Sequence, residues 1–190
     1  MNANYELLER AIAQTVSELK NGHKTPDRAR KLELRVIANL ESEITNGEFA
    51  FRVDAAIDAG GAGGYARPMD YVLGGLLSCQ QMWCLRWAAL TKTKFSSLTL
   101  GAVGKFTWRG EYLDEVDSGL TSIDVQYRVG HPNLAIDAVT DMADTVARRC
   151  PVFATLRKAV TINEDIILNG TLASKRQWLP GQLAASAAAT

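Results

Sequence analysis

The spacing of apolar and polar residues divides the chain into helices and strands. Over residues 5–19 the apolar positions recur every three or four residues, which predicts an amphipathic helix. Residues 32–36 and 49–53 alternate apolar with polar side chains, which predicts two strands on either side of a turn at Thr45-Asn46-Gly47. The first part of the chain is therefore predicted to be a helical arm followed by an antiparallel hairpin.

A glycine-rich segment at residues 60–64 comes next and is predicted to be a loop, because glycine loses the most backbone entropy on ordering. Pro68 suits the first position of a helix, where its missing N–H costs nothing. Apolar residues then cover almost every face of residues 72–87, which predicts a central, buried helix. One sheet with so buried a helix suggests that a partner subunit covers it.

The rest of the chain is predicted to alternate between strands and helices. Strands are predicted at residues 98–108, 120–129 and 159–168, and helices at residues 134–149 and 151–158. Antiparallel strands interrupted by helices favour an α+β fold over a parallel sheet. We expect a helical arm and linker at residues 1–30, one main domain at residues 31–173 and a mobile tail at residues 174–190.

Composition narrows the class of protein. Lysine plus arginine and aspartate plus glutamate both total 21, so the net charge is zero and no basic patch suggests a nucleic-acid partner. The sequence shows neither a signal-peptide pattern nor an apolar run of membrane-spanning length, so a soluble cytoplasmic protein is expected. Two histidines and no Cys-x-x-Cys pair are a thin ligand set for zinc, and no metal is expected.

The three cysteines are the candidate reactive groups, expected to be thiols in a reducing compartment. Cys150 precedes a proline that opens a helix, and the helix dipole, with Arg148 and Arg149, would favour its thiolate. Cys79 shares an apolar helix face, so it needs a nearby cation to be a nucleophile. Cys84 lies about 140° further round the same helix, which excludes a disulfide to Cys79 while the helix persists. We interpret Cys84 as a packing residue.

Two segments around these cysteines resemble the signatures of the OsmC/Ohr family, named for osmotically inducible protein C and organic hydroperoxide resistance protein. The first is the glycine-rich loop at residues 60–64 followed by the segment from Pro68 to Cys79. The second is residues 149–156, Arg-Cys-Pro-Val-Phe-Ala-Thr-Leu, which is similar to the second-cysteine motif of the family. The resemblance spans residues 31–168.

This resemblance implies an intertwined homodimer, in which each subunit contributes a curved antiparallel sheet wrapped around paired long central helices. It implies reduction of organic hydroperoxides, or of hydrogen peroxide, with no metal, haem or other cofactor. In that chemistry Cys79 attacks the peroxide, and Cys150 condenses with the resulting sulfenic acid to form a disulfide. An external dithiol, in this family commonly a lipoyl-bearing protein, would regenerate both thiols.

One position departs from the family pattern. The most active members carry a glutamate directly after the helix-opening proline, and its pair with an arginine steadies the thiolate. Here that position is Met69, and the nearest carboxylate is Asp70. Arg52 and Arg67 are the candidate arginines, although a solvated strand face and a loop charge are equally good interpretations of them.

Two other functions stay open at this point. A non-catalytic dimer could bind a small hydrophobic ligand in an interface pocket lined by Met82, Trp83 and Trp87. In a purely structural dimer module, the same aromatic and methionine residues would simply form the core. The response of the thiols to peroxide distinguishes the enzyme from both.

Overall fold

A computed structural model of the protein describes residues 1–181. Their elements, in chain order, are α1 (Tyr5–Lys20), β1 (Glu33–Ala38), β2 (Glu41–Thr45), β3 (Ala50–Val53), a 3-10 turn (Ile57–Ala59), α2 (Pro68–Leu90), β4 (Ser97–Lys105), α3 (Trp108–Leu113), β5 (Ser122–Gly130), α4 (Ile136–Arg149), α5 (Pro151–Leu156), β6 (Thr161–Leu168) and β7 (Thr171–Trp178). None of these helices combines the length and the apolar character that crossing a membrane requires.

The chain divides into two compact units. Residues 14–74 form one, called here the loop unit, and residues 1–13 together with residues 75–181 form the other, called the cysteine unit. Both boundaries fall inside helices, α1 and α2. The helix predicted over residues 5–19 and the helix start predicted at Pro68 are both confirmed.

The sheet of the loop unit is a three-stranded antiparallel meander in the order β1-β2-β3. The predicted turn joins β2 to β3, and the Asn46 side chain closes it by accepting the backbone N–H groups of Glu48 at 3.0 Å and Phe49 at 2.8 Å. The sequence analysis predicted only two strands here. It missed β2 because Ile44 is the one large apolar residue among its five, so the strand shows no apolar face.

The glycine-rich segment is a loop, as predicted, and one carboxylate holds it together. Asp54 is only 2% exposed, and its oxygens accept the backbone N–H groups of Ala55 at 2.8 Å, Ala62 at 3.1 Å and Gly64 at 3.0 Å. These bonds, that of Gly64 foremost, hold the pKa of Asp54 below its usual range. The loop is thus built around a buried charge that its own backbone solvates.

Gly61 is the position in this loop where a side chain cannot fit. A Cβ atom at residue 61 would overlap the carbonyl group of Ala55, whereas at Gly64 the nearest atom is the Asp54 carboxylate, 3.9 Å away. We expect Gly61→Ala to lower the free energy of unfolding by about 1–3 kcal/mol, because the backbone must shift to admit the methyl group. Urea denaturation measures the loss. Gly64→Ala is the matched control, and an equal loss in both variants would contradict the argument.

The cysteine unit contains a four-stranded sheet in the order β4-β5-β6-β7. The β4–β5 and β6–β7 pairs are antiparallel, but β5 and β6 are parallel, because α4 and α5 form the crossover connection between them. The α+β class is confirmed, with this one parallel pair among antiparallel strands. Helix α4 packs on β6 and β7, and its buried residues are Val139, Met142, Ala143, Val146 and Ala147.

Helix α2 buries one stripe within the cysteine unit rather than almost all its faces. The buried residues Leu76, Gln80, Cys84 and Trp87 recur at four- and three-residue steps, and Ala88 and Ala89 follow them directly. Met82 is 51% exposed and Leu90 is 47% exposed. The prediction of near-complete burial is therefore wrong for the single chain, because an apolar surface on a helix does not say what covers it.

The structure differs most from the prediction at the end of β4 and in the C-terminal segment. Strand β4 ends at Lys105 instead of continuing to residue 108, because the side chain of Thr107 accepts the backbone N–H of Arg109 and caps α3. The tail predicted from residue 174 is wrong at its start, since β7 pairs with β6 as far as Trp178. Its polar run Ala-Ser-Lys-Arg-Gln hides this strand in the sequence, and residues 182–190 of the predicted tail lie outside the described residues.

Candidate active site

The structure brings Cys79 and Cys150 together in the cysteine unit, close enough for their two side chains to interact. Cys79 lies in the middle of α2 and is half-buried. Cys150 is fully buried between α4 and α5, where its N–H donates to the Val146 carbonyl at 2.9 Å and its Sγ accepts the Phe153 N–H at 3.4 Å. Both helices therefore fix the position of this sulfur against α2.

Cys150 does not have the lowered pKa that the sequence analysis predicted. Burial raises its pKa to about 12, the hydrogen bond to Cys79 acts in the same direction, and the N–H of Phe153 opposes them only in part. The neighbouring cations are directed elsewhere: Arg148 donates to Thr145 Oγ1 at 3.2 Å, and Arg149 lies over the ring of Trp83. Cys150 is thus a protonated thiol at neutral pH. Burial of the sulfur raises its pKa by more than the N-terminus of the six-residue helix α5 lowers it.

This difference between the cysteines sets an expected order of alkylation. In the reduced protein at pH 8, we expect iodoacetamide to modify Cys79 well before Cys150 or Cys84, because both of these are fully buried and burial raises their pKa. Peptide mass spectrometry over a time course measures the order. In urea all three cysteines should react at similar rates, and faster modification of Cys150 in the folded protein would contradict the assignment.

A buried carboxylate near Cys84 was not predicted from the sequence. Glu164 is fully buried on β6 and accepts hydrogen bonds from Tyr127 Oη at 2.7 Å, Trp178 Nε1 at 2.8 Å and Gln80 Nε2 at 3.4 Å. Burial raises its pKa, although the hydrogen bonds from Trp178 and Tyr127 and the charge of Arg176 act against the rise. Its field, after burial, also contributes to the raised pKa of Cys84. The alternation along β6 held the signal, since Ile162, Glu164 and Ile166 all face inward.

The remaining candidate residues lie in the loop unit. Arg52 is engaged by carboxylates of its own sheet, with Nη1 2.7 Å from Glu41 Oε1 and Nε 3.8 Å from Glu43 Oε2, and it also contacts Tyr65. This arrangement matches the interpretation of Arg52 as a charge on a solvated strand face.

Asp70 and Arg67 meet at the start of α2. Asp70 Oδ2 accepts the backbone N–H of Arg67 at 2.9 Å, which caps the first turn of the helix. Both residues also line an open pocket of about 610 Å³ with Ala55, Ile57, Gly63 and Tyr65. A capping role accounts for Asp70 by itself, and their roles toward the thiolate stay predictions.

The α+β arrangement of helices and antiparallel strand pairs matches solved structures. An OsmC-like protein from Mycoplasma pneumoniae aligns with a TM-score of 0.64 at 21% identity, covering 75% of this chain and 98% of that chain. Organic hydroperoxide resistance proteins from Legionella pneumophila and Elizabethkingia anophelis align with TM-scores of 0.57 and 0.58, at 14% and 18% identity. The alignments cover 76% and 77% of this chain and 99% and 100% of those chains.

The fold is therefore that of an OsmC-like protein. The family model described as "OsmC-like protein" matches residues 60–165, more than half of the 190 residues, and this match includes both Cys79 and Cys150. The chain belongs to the OsmC-like family, which confirms the resemblance seen in its two cysteine motifs. No curated protein sequence matches the chain.

Proposed function

We propose that this protein is a thiol-dependent hydroperoxide reductase in which Cys79 is oxidised and Cys150 resolves the oxidised sulfur. The observation that carries the proposal is the contact between these two thiols, one half-buried and one fully buried. Membership of a family whose relatives include organic hydroperoxide resistance proteins supports it. The proposed substrates are organic hydroperoxides or hydrogen peroxide.

The proposed reaction begins at the sulfur of Cys79. As a thiolate, it attacks one peroxide oxygen, the O–O bond breaks, and the leaving alkoxide takes up a proton to become an alcohol. Cys79 is left as a sulfenic acid. The sulfur of Cys150 then attacks the Cys79 sulfur, an S–S bond forms, and the hydroxyl group leaves as water. An external dithiol, such as a lipoyl-bearing protein, reduces the disulfide by two thiol exchanges and is itself oxidised.

The raised pKa of Cys150 suits the resolving role. Because its pKa is raised, Cys150 keeps its proton at neutral pH while Cys79 reacts with the peroxide. Once the sulfenic acid has formed, that same proton can leave with the departing hydroxyl group as water.

Titration of the reduced protein with cumene hydroperoxide tests the proposal. We expect two thiols to disappear for each peroxide consumed, and peptide mapping to find a Cys79–Cys150 disulfide while Cys84 stays reduced. The burial of Cys84 gives the reason for its persistence. Unmodified Cys79 and Cys150 after stoichiometric peroxide would refute the proposed function.

We also propose that the protein works as a homodimer. Every residue of β1 is exposed, including Leu34 at 60% and Val36 at 66%, and Phe49, directly before β3 of the same sheet, is 71% exposed. Apolar surface of this kind is typical of a protein interface, and the proposed occupant is a second copy of the chain, as the family resemblance implies. We expect light scattering to give twice the mass of one chain, and Val36→Glu to shift the population toward monomers. A monomeric wild-type protein at micromolar concentration would contradict this proposal.

The non-catalytic alternative, a dimer that binds a hydrophobic ligand, has less support from the described residues. Trp87 is 4% exposed, donates to Asp141 Oδ2 at 2.7 Å and stacks on Phe95, so it belongs to the core of the cysteine unit. Trp83, one turn from Cys79, lies against two arginine side chains, those of Arg86 and Arg149. These contacts favour the chemical role.

A further inference from the structure

Two arginine side chains lie against Trp83, beside the cysteine pair. The guanidinium carbon of Arg86 is 4.9 Å from the centroid of the Trp83 ring, and that of Arg149 is 5.5 Å from it. Among residues 1–181, neither guanidinium forms a salt bridge or a hydrogen bond with another side chain. Stacking leaves the N–H groups in the guanidinium plane free to bind an anion.

The geometry of α2 places this arginine pair on the same face as the reactive thiol. Cys79, Trp83 and Arg86 occupy positions i, i+4 and i+7, which fall within about 60° of one another around the helix. At a rise of about 1.5 Å per residue, Trp83 and Arg86 lie roughly 6 and 10 Å from Cys79 along the axis. This face of α2 therefore extends from the Cys79 thiol to the Arg86 guanidinium.

The junction of α4 and α5 lies against the same face of α2. Cys150 contacts Cys79, and the residue before it, Arg149, contacts Trp83 one turn further along α2. The neighbouring residues Arg149 and Cys150 thus contact two successive turns of α2. The Trp83 ring holds one arginine from each element, so the two charges are positioned before any ligand arrives.

We propose that Arg86 and Arg149 bind a carboxylate on the molecule that reacts at the cysteine pair, at roughly 6–10 Å from the Cys79 sulfur. This inference rests on the proposed function and deepens it. Two molecules react at the cysteine pair in the proposed cycle, the hydroperoxide and the dithiol reductant, and the carboxylate can belong to either. A chain of a few carbon atoms would connect it to the reacting peroxide or thiol.

Two matched pairs of compounds test this recognition. The peroxide pair is 6-hydroperoxyhexanoic acid and its methyl ester, and the dithiol pair is dihydrolipoic acid and dihydrolipoamide. For wild-type protein we expect kcat/KM to favour the carboxylate member of at least one pair by about tenfold, the effect of one well-placed charged hydrogen bond. In the double variant Arg86→Gln with Arg149→Gln that ratio should fall to about one.

The controls separate recognition from packing and from general charge. Arg148→Gln removes an exposed arginine next to Arg149 that is bonded to Thr145, and it should leave the ratio unchanged. The double lysine variant keeps both charges and should restore part of the preference. If Arg86 and Arg149 only packed α4 against α2, their loss would lower both members of a pair equally.

Each outcome decides the inference. A preference confined to the peroxide pair assigns the carboxylate to the substrate, and one confined to the dithiol pair assigns it to the reductant. No preference in either pair, or an equal loss in Arg148→Gln, overturns the inference even if the neutral ester is reduced. If no peroxide is consumed, the proposed function fails. Titration calorimetry with hexanoate then tests carboxylate binding by itself. A Kd about tenfold weaker in the double glutamine variant supports carboxylate binding, and an unchanged Kd overturns it.

Discussion

Cys79→Ser is expected to reduce hydroperoxide consumption to the uncatalysed background, a loss of at least about 10³-fold, as is usual when a catalytic nucleophile is removed. A serine hydroxyl neither ionises at neutral pH nor forms a sulfenic acid, so the first step has no substitute. The rate of cumene hydroperoxide loss in the presence of excess dithiol measures the effect. Cys84→Ser is the matched control on the same helix, and it should retain most of the turnover.

Cys150→Ser should separate the two chemical steps. Without added thiol, it should consume one peroxide per chain, as the wild type does, but end as a Cys79 sulfenic acid that dimedone can trap. The wild type should end as a disulfide that dimedone does not modify. A disulfide in Cys150→Ser would mean that Cys84 resolves Cys79 instead, contrary to its place five residues along α2.

Glu164→Ala is expected to lower the free energy of unfolding by about 3–5 kcal/mol, measured by urea denaturation. The variant would leave Tyr127 Oη and Trp178 Nε1 without their buried acceptor, and it would open a cavity in the core. Asp165→Ala is the matched control on the same strand. Its partner Lys175 is exposed, so that loss should stay below about 1 kcal/mol. Similar losses in the two variants would contradict the role assigned to the Glu164 cluster.

Glu164→Gln should cost less than the alanine variant, and its cost should depend on pH. Burial raises the pKa of Glu164, so the folded protein binds this proton more tightly than the unfolded chain does. The contribution of the raised pKa to stability is therefore full below the unfolded value of about 4.3 and is lost as pH rises through the folded value. Glutamine has no such proton. We expect the wild type to gain stability relative to Glu164→Gln as the pH is lowered from 8 toward 5.

Features that depend on neighbouring residues were predictable from the sequence. Pro68 marks the start of α2 because its ring suits the first helical position, and the alternation along β5 predicts the buried positions Ile123, Val125, Tyr127 and Val129. The two cysteine motifs were sufficient to predict the family. In contrast, β2 and β7 lack a clear apolar face, and pairing with neighbouring strands shows them to be strands.

The burial, pKa and contacts of the candidate site residues depend on residues that are far apart in the chain. A proline after Cys150 correctly predicts a helix start, but the pKa of this thiol is set mainly by burial, which raises it against the expected direction. The contact between Arg149 and Trp83 and the donors around Glu164 also join separate elements. By itself, the sequence determined the helices and strands that have a clear apolar pattern and the cysteines that carry the family motifs, because local sterics and short patterns set these. Only the tertiary structure decided how each sulfur and carboxylate is solvated, because burial and charge act through space.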